Sequence, residues 1–361
     1  MITAEHPGRG RRPTLTDVAA RAGVSVALVS IVIRDVPGAS AESRQRVLQA
    51  ADELGYRPDT RARLLRSSRS RLLGVVFGVQ HAFHGDLVSG LYTAADAAGY
   101  ALTLSAVTPA RDEQRAVGSL LQDRCEALIL LGPHASTSAL AQLTERLPVV
   151  VVARAARHRA LDVVRTADNE GVQQAVDHLV ALGHRRIVHI DGGRAPGAAE
   201  RRRGYRDAMH RHGLDSQIHI EAGGLTEDDG ADAVRTLLDS ALHNSVAPPT
   251  AIAVFNDRSA IGALDVLHRA GVAVPGSISV VGYDDSRLAR LSHVNLTTIA
   301  QDTEQMSALA VARAIARIEG TPVRQRELVT PPHLVVRGTT APMVEGSGHA
   351  QPEALGQARV L

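Results

Sequence analysis

From Leu72 onward, short runs of Val, Ile and Leu alternate with amphipathic stretches. The apolar runs, read as strands, are 72–79, 101–107, 127–131, 149–153, 187–190, 252–255 and 278–282. Between them, segments 88–98, 111–123, 171–182, 200–212, 229–242 and 258–270 carry helical spacing of apolar residues. Strands that are apolar on both faces belong to parallel sheets covered by helices on both sides. So many units exceed one small sheet. The pattern therefore predicts an α/β core of two doubly wound parallel-sheet subdomains. The length of 361 residues agrees, since single cores stop growing well before that size.

The first seventy residues read differently. In TLTDVAARAGVSVALVSIVIR, from Thr14 to Arg34, Leu15, Val18, Ala19 and Ala22 recur at i, i+3, i+4 and i+7. Gly23 suits a left-handed turn because it has no Cβ. Ser25 is placed to cap a second helix, whose inward stripe is Val26, Val29 and Ile33. Two short helices joined by a glycine-containing turn form the helix-turn-helix unit, whose second helix enters the DNA major groove. An ordinary αα-hairpin fits the same pattern. A third helix is predicted over 41–54, capped by Ser40, with Val47, Leu48 and Ala51 buried and Gly55 stopping it.

Charge separates the two parts. The chain has no Lys. Through Arg71 it holds 13 Arg against 7 acidic residues, a net of +6, while the remainder holds 27 against 31, a net of −4. A basic head on a mildly acidic body is the footprint of a nucleic-acid-binding head. Other classes are disfavoured. No run of about 18 apolar residues predicts a membrane span. The N-terminus lacks the apolar stretch of a signal peptide, so a cytoplasmic protein is expected. The single cysteine, Cys125, cannot form an internal disulfide and offers no metal-ligand spacing. No G-x-G-x-x-G follows the first strand, and neither a P-loop nor G-x-S-x-G occurs, so no enzyme is expected and no cofactor. His178, His184 and His189 cluster in sequence, but no Cys or paired carboxylate completes a metal site.

Several segments, in order and at compatible spacing over about 14–338, give the chain a family likeness. They are TLTDVAARAGVS with a following VS, SAESRQRVLQAADELGYRPD, TADNEGVQQAVDHLVALGHRRIVHIDG, ERRRGY, AVFNDRSAIGAL, GVAVPGSISVVGYDD and LTTIAQD. Together they resemble the lac-repressor (LacI/GalR) family of bacterial transcription regulators. The resemblance implies an arm (1–13), a helix-turn-helix domain (14–58), a hinge helix (59–71) and a periplasmic-binding-protein-like core (72–340). In that core the N-subdomain would take 72–165 and 299–325, and the C-subdomain 166–298 and 326–340. A disordered tail (341–361) would follow. It also implies a homodimer, with a tetramer as the alternative, on a double-stranded, pseudo-palindromic DNA operator. A small effector, expected to be a carbohydrate, would bind in the cleft between subdomains. A transport-type binding protein shares the core, but the basic head and the missing signal peptide speak against it.

The resemblance also places site residues. Val26, Ala27 and Ile31 take the base-reading positions of the second helix, beside Ser30 and Arg34. This departs from the family, because apolar side chains cannot make bidentate bonds to guanine or adenine, although they can contact the thymine methyl. The alternative is that Ile31 packs inward. Thr14, Ser25, Ser40 and Arg44 fall near the phosphate backbone. Leu65 takes the place of the hinge leucine that wedges into the minor groove, with Ala62 one turn earlier. Phe83, His84, Asp168, Arg201, Asn256, Asp284 and Gln301 take effector-cleft positions. Such a mixture of acceptors, donors and aromatics suits sugar hydroxyls. Helix capping is the rival reading for Asp168 and Asp257, and a solvated basic face is the rival for Arg201.

Overall fold

The computed structural model describes residues 13–33, 35–56, 69–243 and 247–343. The arm up to residue 12, Arg34, the hinge positions Ala62 and Leu65, and the tail from residue 344 lie outside the described residues. The chain divides into two compact units, a head through Ser70 and a core from Arg71.

The head is built from α1 (Leu15–Ala22), α2 (Val26–Ile33) and α3 (Ala41–Glu53). Thr14 and Asp17 form a reciprocal capping box at the start of α1, with the Thr14 N–H 2.7 Å from the Asp17 carboxylate. Gly23 ends α1 at φ 66° and ψ 39°, the left-handed conformation that turns the chain by 104° into α2. The Ser25 Oγ accepts the Leu28 N–H at 3.2 Å, capping α2, and the Ser40 Oγ accepts the Ser43 N–H at 3.2 Å, capping α3. Val18, Ala19, Val29, Val32, Val47, Ala50 and Ala51 form the buried core. Leu48, expected inside, is 50% exposed, because the inward stripe of α3 runs through Val47, Ala50, Ala51 and Leu54 at i, i+3, i+4 and i+7.

The strands of the core are β1 (Leu72–Gly78), β2 (Ala101–Val107), β3 (Ala127–Leu131), β4 (Val149–Val152), β5 (Asp162–Thr166), β6 (Ile187–Ile190), β7 (His219–Glu221), β8 (Ala251–Val254), β9 (Ser279–Asp284), β10 (Thr297–Ala300), β11 (Glu327–Thr330) and β12 (His333–Val335). The helices are α4 (Ala82–Ala97), α5 (Glu113–Gln122), α6 (Thr137–Leu143), α7 (Asp168–Ala181), α8 (Ala198–Arg211), α9 (Glu227–His243), α10 (Asp257–Arg269) and α11 (Thr303–Ile318). They form two six-stranded sheets, ordered β11-β5-β4-β3-β1-β2 and β12-β10-β9-β8-β6-β7. All pairings are parallel except β10 with β12. Each sheet carries an apolar cluster on each face, as doubly wound sheets require.

The crossings between subdomains shift from the expected ones. Residues 327–330, assigned above to the C-subdomain, pair with β5 in the first sheet, while Thr297–Ala300 stay in the second. The backbone ladder, not the family boundary, decides this. Buried Asp162 reinforces the first sheet by accepting from Arg313 (2.8 Å), Arg317 (2.7 Å) and Arg326 (3.4 Å), which ties α11 and the approach to β11 onto β5.

Candidate functional site

Two surfaces carry the candidate chemistry. On the head, α2 presents exposed Val26 and Ala27 outward, with Ser30 and Ile31 half-buried beside them. Val26, read from the helical spacing as part of the inward stripe, is instead 43% exposed, and the buried residues of α2 are Val29 and Val32. Ile31 leans toward the turn after α2, where a Cβ on Gly38 would lie 3.7 Å from its Cγ2. It is therefore neither fully outward nor in the core. Thr14, Ser25 and Ser40 stand exposed at helix N-termini. Arg44 is tied to the turn, 2.5 Å from the Asp35 carboxylate and 3.1 Å from the Val36 carbonyl.

In the core, both sheets order their strands so that the chain reverses direction of progress between β1 and β3, and again between β6 and β8. Ligands of open α/β sheets bind beyond the carboxyl ends of the strands at such points. A cleft with about 500 Å³ of empty space lies there. The structure brings all seven predicted positions to it: Phe83 and His84 after β1, Asp168 after β5, Arg201 on α8, Asn256 after β8, Asp284 ending β9 and Gln301 after β10. His81, Gly132, Ala153, Pro196, Leu225 and Phe255 also line it. Of these, Gly132 and Ala153 directly follow β3 and β4, so strand ends alone point to them. Pro196 and Leu225 are brought in by tertiary packing and carry no local signal.

Arg201 is the hub. It is 6% exposed, so it does not belong to a solvated face even though Arg203 does. Its Nε donates to Asp168 Oδ1 at 2.8 Å and its Nη1 to the Phe255 carbonyl at 2.6 Å, with Asp284 Oδ1 3.9 Å away. The guanidinium stacks 3.5 Å from the Tyr283 ring centroid and 4.6 Å from that of Phe255. Gln301 Nε2 donates to Asp284 Oδ1 at 2.8 Å, leaving Oδ2 without a protein partner among the described residues. Asn256 caps α10 by accepting the Ser259 N–H at 2.7 Å, while its amide donates to the Leu225 carbonyl at 3.2 Å. The capping role considered for Asp257 is therefore Asn256's, and that considered for Asp168 is not filled by it either, since Ala167 stands at the N-cap of α7 with no side-chain cap bond. Asp257 instead accepts the Thr298 hydroxyl at 2.5 Å and the Ser286 N–H at 2.6 Å. Burial pushes the Asp168 and Asp284 carboxyls above the usual range, and Arg201 opposes the push.

Across the cleft, Arg258 of α10 donates to the Gln80 carbonyl at 2.5 Å and pairs with Glu227 at 2.6 Å. His84 Nδ1 accepts the Gly78 N–H at 3.0 Å, so in the neutral ring the proton sits on Nε2, available as a donor. Burial, then the neighbouring His81 and His134, lower the His84 pKa to about 3; burial lowers that of fully enclosed His189 to about 4. Both are neutral in the fold yet protonate near 6.5 when unfolded. Their contribution to stability is therefore complete above pH 6.5 and is lost as pH falls toward 3–4. Thermal unfolding should show a falling midpoint below pH 6.5, each histidine adding up to about 1.4 kcal/mol per pH unit. Replacing His84 with glutamine should flatten that slope; an unchanged slope would refute the assignment. His178 and His184 each bond to structural partners, Thr340 and Thr250, and the three histidines of that segment do not converge.

Residues 14–59 match the model of bacterial regulatory proteins of the lacI family, and residues 176–340 match that of a periplasmic binding protein-like domain. The regulator DegA of Bacillus subtilis is 30% identical over 92% of this chain and 99% of its own length. The regulator GalR of Escherichia coli is 32% identical over 93% and 98%. Among solved structures, a LacI transcriptional regulator from a Rhodococcus species is 52% identical with a TM-score of 0.72, covering 75% of this chain and 98% of that one. The lac repressor dimer bound to operator and an anti-inducer gives a TM-score of 0.75 at 28% identity, over 92% and 100%. The CelR–cellobiose complex gives 0.66 at 30% identity, over 91% and 100%. These relatives are transcriptional regulators.

Proposed function

The chain belongs to the lacI family of bacterial regulatory proteins, a family of DNA-binding transcriptional regulators rather than enzymes, and from this we propose that it is a repressor that binds a pseudo-palindromic operator as a dimer and is gated by a carbohydrate in its cleft. The observation that carries the effector reading is the convergence of His84, Asp168, Arg201, Asp284 and Gln301 at the carboxyl ends of strands from both sheets. Carboxylates accept from hydroxyls, the amide does both, and the Phe83 and Phe255 rings supply apolar faces. The relative solved with cellobiose supports a sugar. On the DNA side, Val26, Ala27, Ser30, Ile31 and Arg34 would meet the major groove. Thr14, Ser25, Ser40 and Arg44 would meet phosphates, and Leu65, flanked by Ala62, would wedge into the minor groove.

The mechanism is a two-state one. With the hinges ordered in the minor groove, the dimer holds its operator. The effector favours a different disposition of the subdomains and so changes hinge geometry. The shift cannot exceed the effector's differential affinity for the two states.

Selection of operators from random DNA with the purified chain, repeated with a panel of sugars, tests the proposal. A palindrome whose recovery changes with one sugar establishes operator, effector and sign together. Failure to enrich any sequence at low salt would refute DNA regulation. Affinity for the selected operator should fall about a thousandfold or more between 50 and 200 mM salt if six or more phosphates are neutralised. Retention that is flat across that range would count against a basic head acting on the DNA backbone.

A further inference from the structure

A second cavity, separate from the cleft, is lined by Ala155, Arg157, Arg165, Asn169, Glu200 and Arg203. It is open to solvent, with Arg157 and Arg203 exposed at its rim. Its walls come from both subdomains. Arg157 follows β4 and Arg165 lies on β5, both of the first sheet's unit, while Asn169 opens α7 and Glu200 and Arg203 lie on the first turns of α8.

Three guanidinium groups face one carboxylate. Arg165 is held in place by Glu327 at 2.5 Å and by the Thr166 carbonyl at 3.0 Å. Arg157 and Arg203 have no hydrogen-bond or ion-pair partner among the described residues. This contrasts with Arg201, two positions from Arg203, whose charge is met by Asp168 and Asp284. In the cleft the protein pairs its arginine; in this cavity it pairs Arg165 with Glu327 and leaves Arg157 and Arg203 unpaired among the described residues. Guanidinium forks match the paired oxygens of phosphate and carboxylate.

We infer that this cavity is a binding site for a small multivalent oxyanion, a phosphate-bearing or polycarboxylate metabolite, distinct from the effector cleft. The two sites share structural members. Asp168 faces the cleft and Asn169 the cavity; Arg201 faces the cleft and Glu200 and Arg203 the cavity. The turns that carry them are locked together at Gly204, where a Cβ would stand 2.3 Å from the Asn169 carbonyl oxygen. Arg165 and Glu200 also act electrostatically on the Asp168 carboxyl. An anion spanning Arg157 and Arg165 on one side and Arg203 on the other would bridge the subdomains. It would therefore bias their disposition, and the two ligands would be linked reciprocally.

The test uses the full chain, with pyrophosphate, inorganic phosphate and citrate as probes in calorimetry and thermal unfolding at fixed ionic strength. Saturable binding of one of them is expected, weakened at least tenfold in Arg157→Ala/Arg203→Ala. Both arginines are exposed and unpaired, so this variant should keep the parent's unfolding midpoint without the anion. A control, Arg235→Ala/Arg269→Ala, removes two exposed arginines elsewhere and should bind as the parent does. Preference for pyrophosphate or phosphate over citrate assigns a phosphate ligand, and the reverse a polycarboxylate. Non-saturable stabilisation equal to that from chloride, or equal binding by the double variant, would overturn the inference.

Discussion

Replacing Arg201 with alanine is expected to destabilise the core by about 3–5 kcal/mol and to abolish binding in the cleft. The reason is that the side chain is buried, bonds Asp168 and the Phe255 carbonyl, and stacks on Tyr283. Without it, Asp168 remains buried beside Asp284 without the cation it pairs with, and a carbonyl loses its donor. The double variant Asp168→Asn/Arg201→Met separates the two effects. Removing both charges should restore much of the stability, because a buried pair replaced by neutral groups is often tolerated, yet it should not restore effector binding. Denaturant midpoints and calorimetry with the sugar found by selection measure both. A single variant as stable as the parent would show that Arg201 does not organise the cleft.

Replacing Ile31 with arginine is expected to change which operator is selected. The outer face of α2 offers Val26, Ala27 and a half-buried Ile31, and none of them can form two hydrogen bonds to a base edge. On the proposed reading, the contact open to such a face is with the thymine methyl group. The variant should favour guanine at one position of each half-site, by about 1–3 kcal/mol, roughly five- to 160-fold. In the parent, replacing thymine by deoxyuridine in the selected half-site should weaken binding, and 5-methylcytosine should substitute for thymine better than cytosine does. An unchanged operator preference in Ile31→Arg would place this side chain against the turn at Gly38 rather than in the groove.

Much of this arrangement was legible in the sequence because local rules and tertiary structure agree. Fully buried β3, β4 and β8 are continuous apolar runs, and Thr14, Gly23, Ser25 and Ser40 cap where capping chemistry puts them. The unread strands are short or polar. β5 begins with Asp162, which only its arginine partners make tolerable inside, and half of β10 is buried threonine. β7, β11 and β12 are partly exposed at or near sheet edges, with three or four residues each, too few to show a period. α11, which packs Met306, Ala310, Val311 and Ala314 into the first sheet, follows no apolar strand of its own sheet and so broke the alternation that guided the reading. The cleft positions came from the family likeness. That Arg201 pairs with Asp168, and that Asn256 spends its amide on α10 and Leu225, required coordinates.

The discontinuity of the first sheet bears on how the chain matures as it is synthesised. One edge of β5 must wait for β11, with Val163 paired to Glu327, and five of the six strands of the second sheet emerge in between, β12 following β11. The head, in contrast, is contiguous and complete by residue 56. At ordinary translation rates of roughly 5–20 residues per second, the head would be out about 15–55 s before β11. A nascent chain stalled or truncated in that interval would carry a finished helix-turn-helix on an unfinished body. On the proposed function, its DNA-facing surface would exist before the part that senses an effector, and β11 and β12 would be the strands that complete the two sheets.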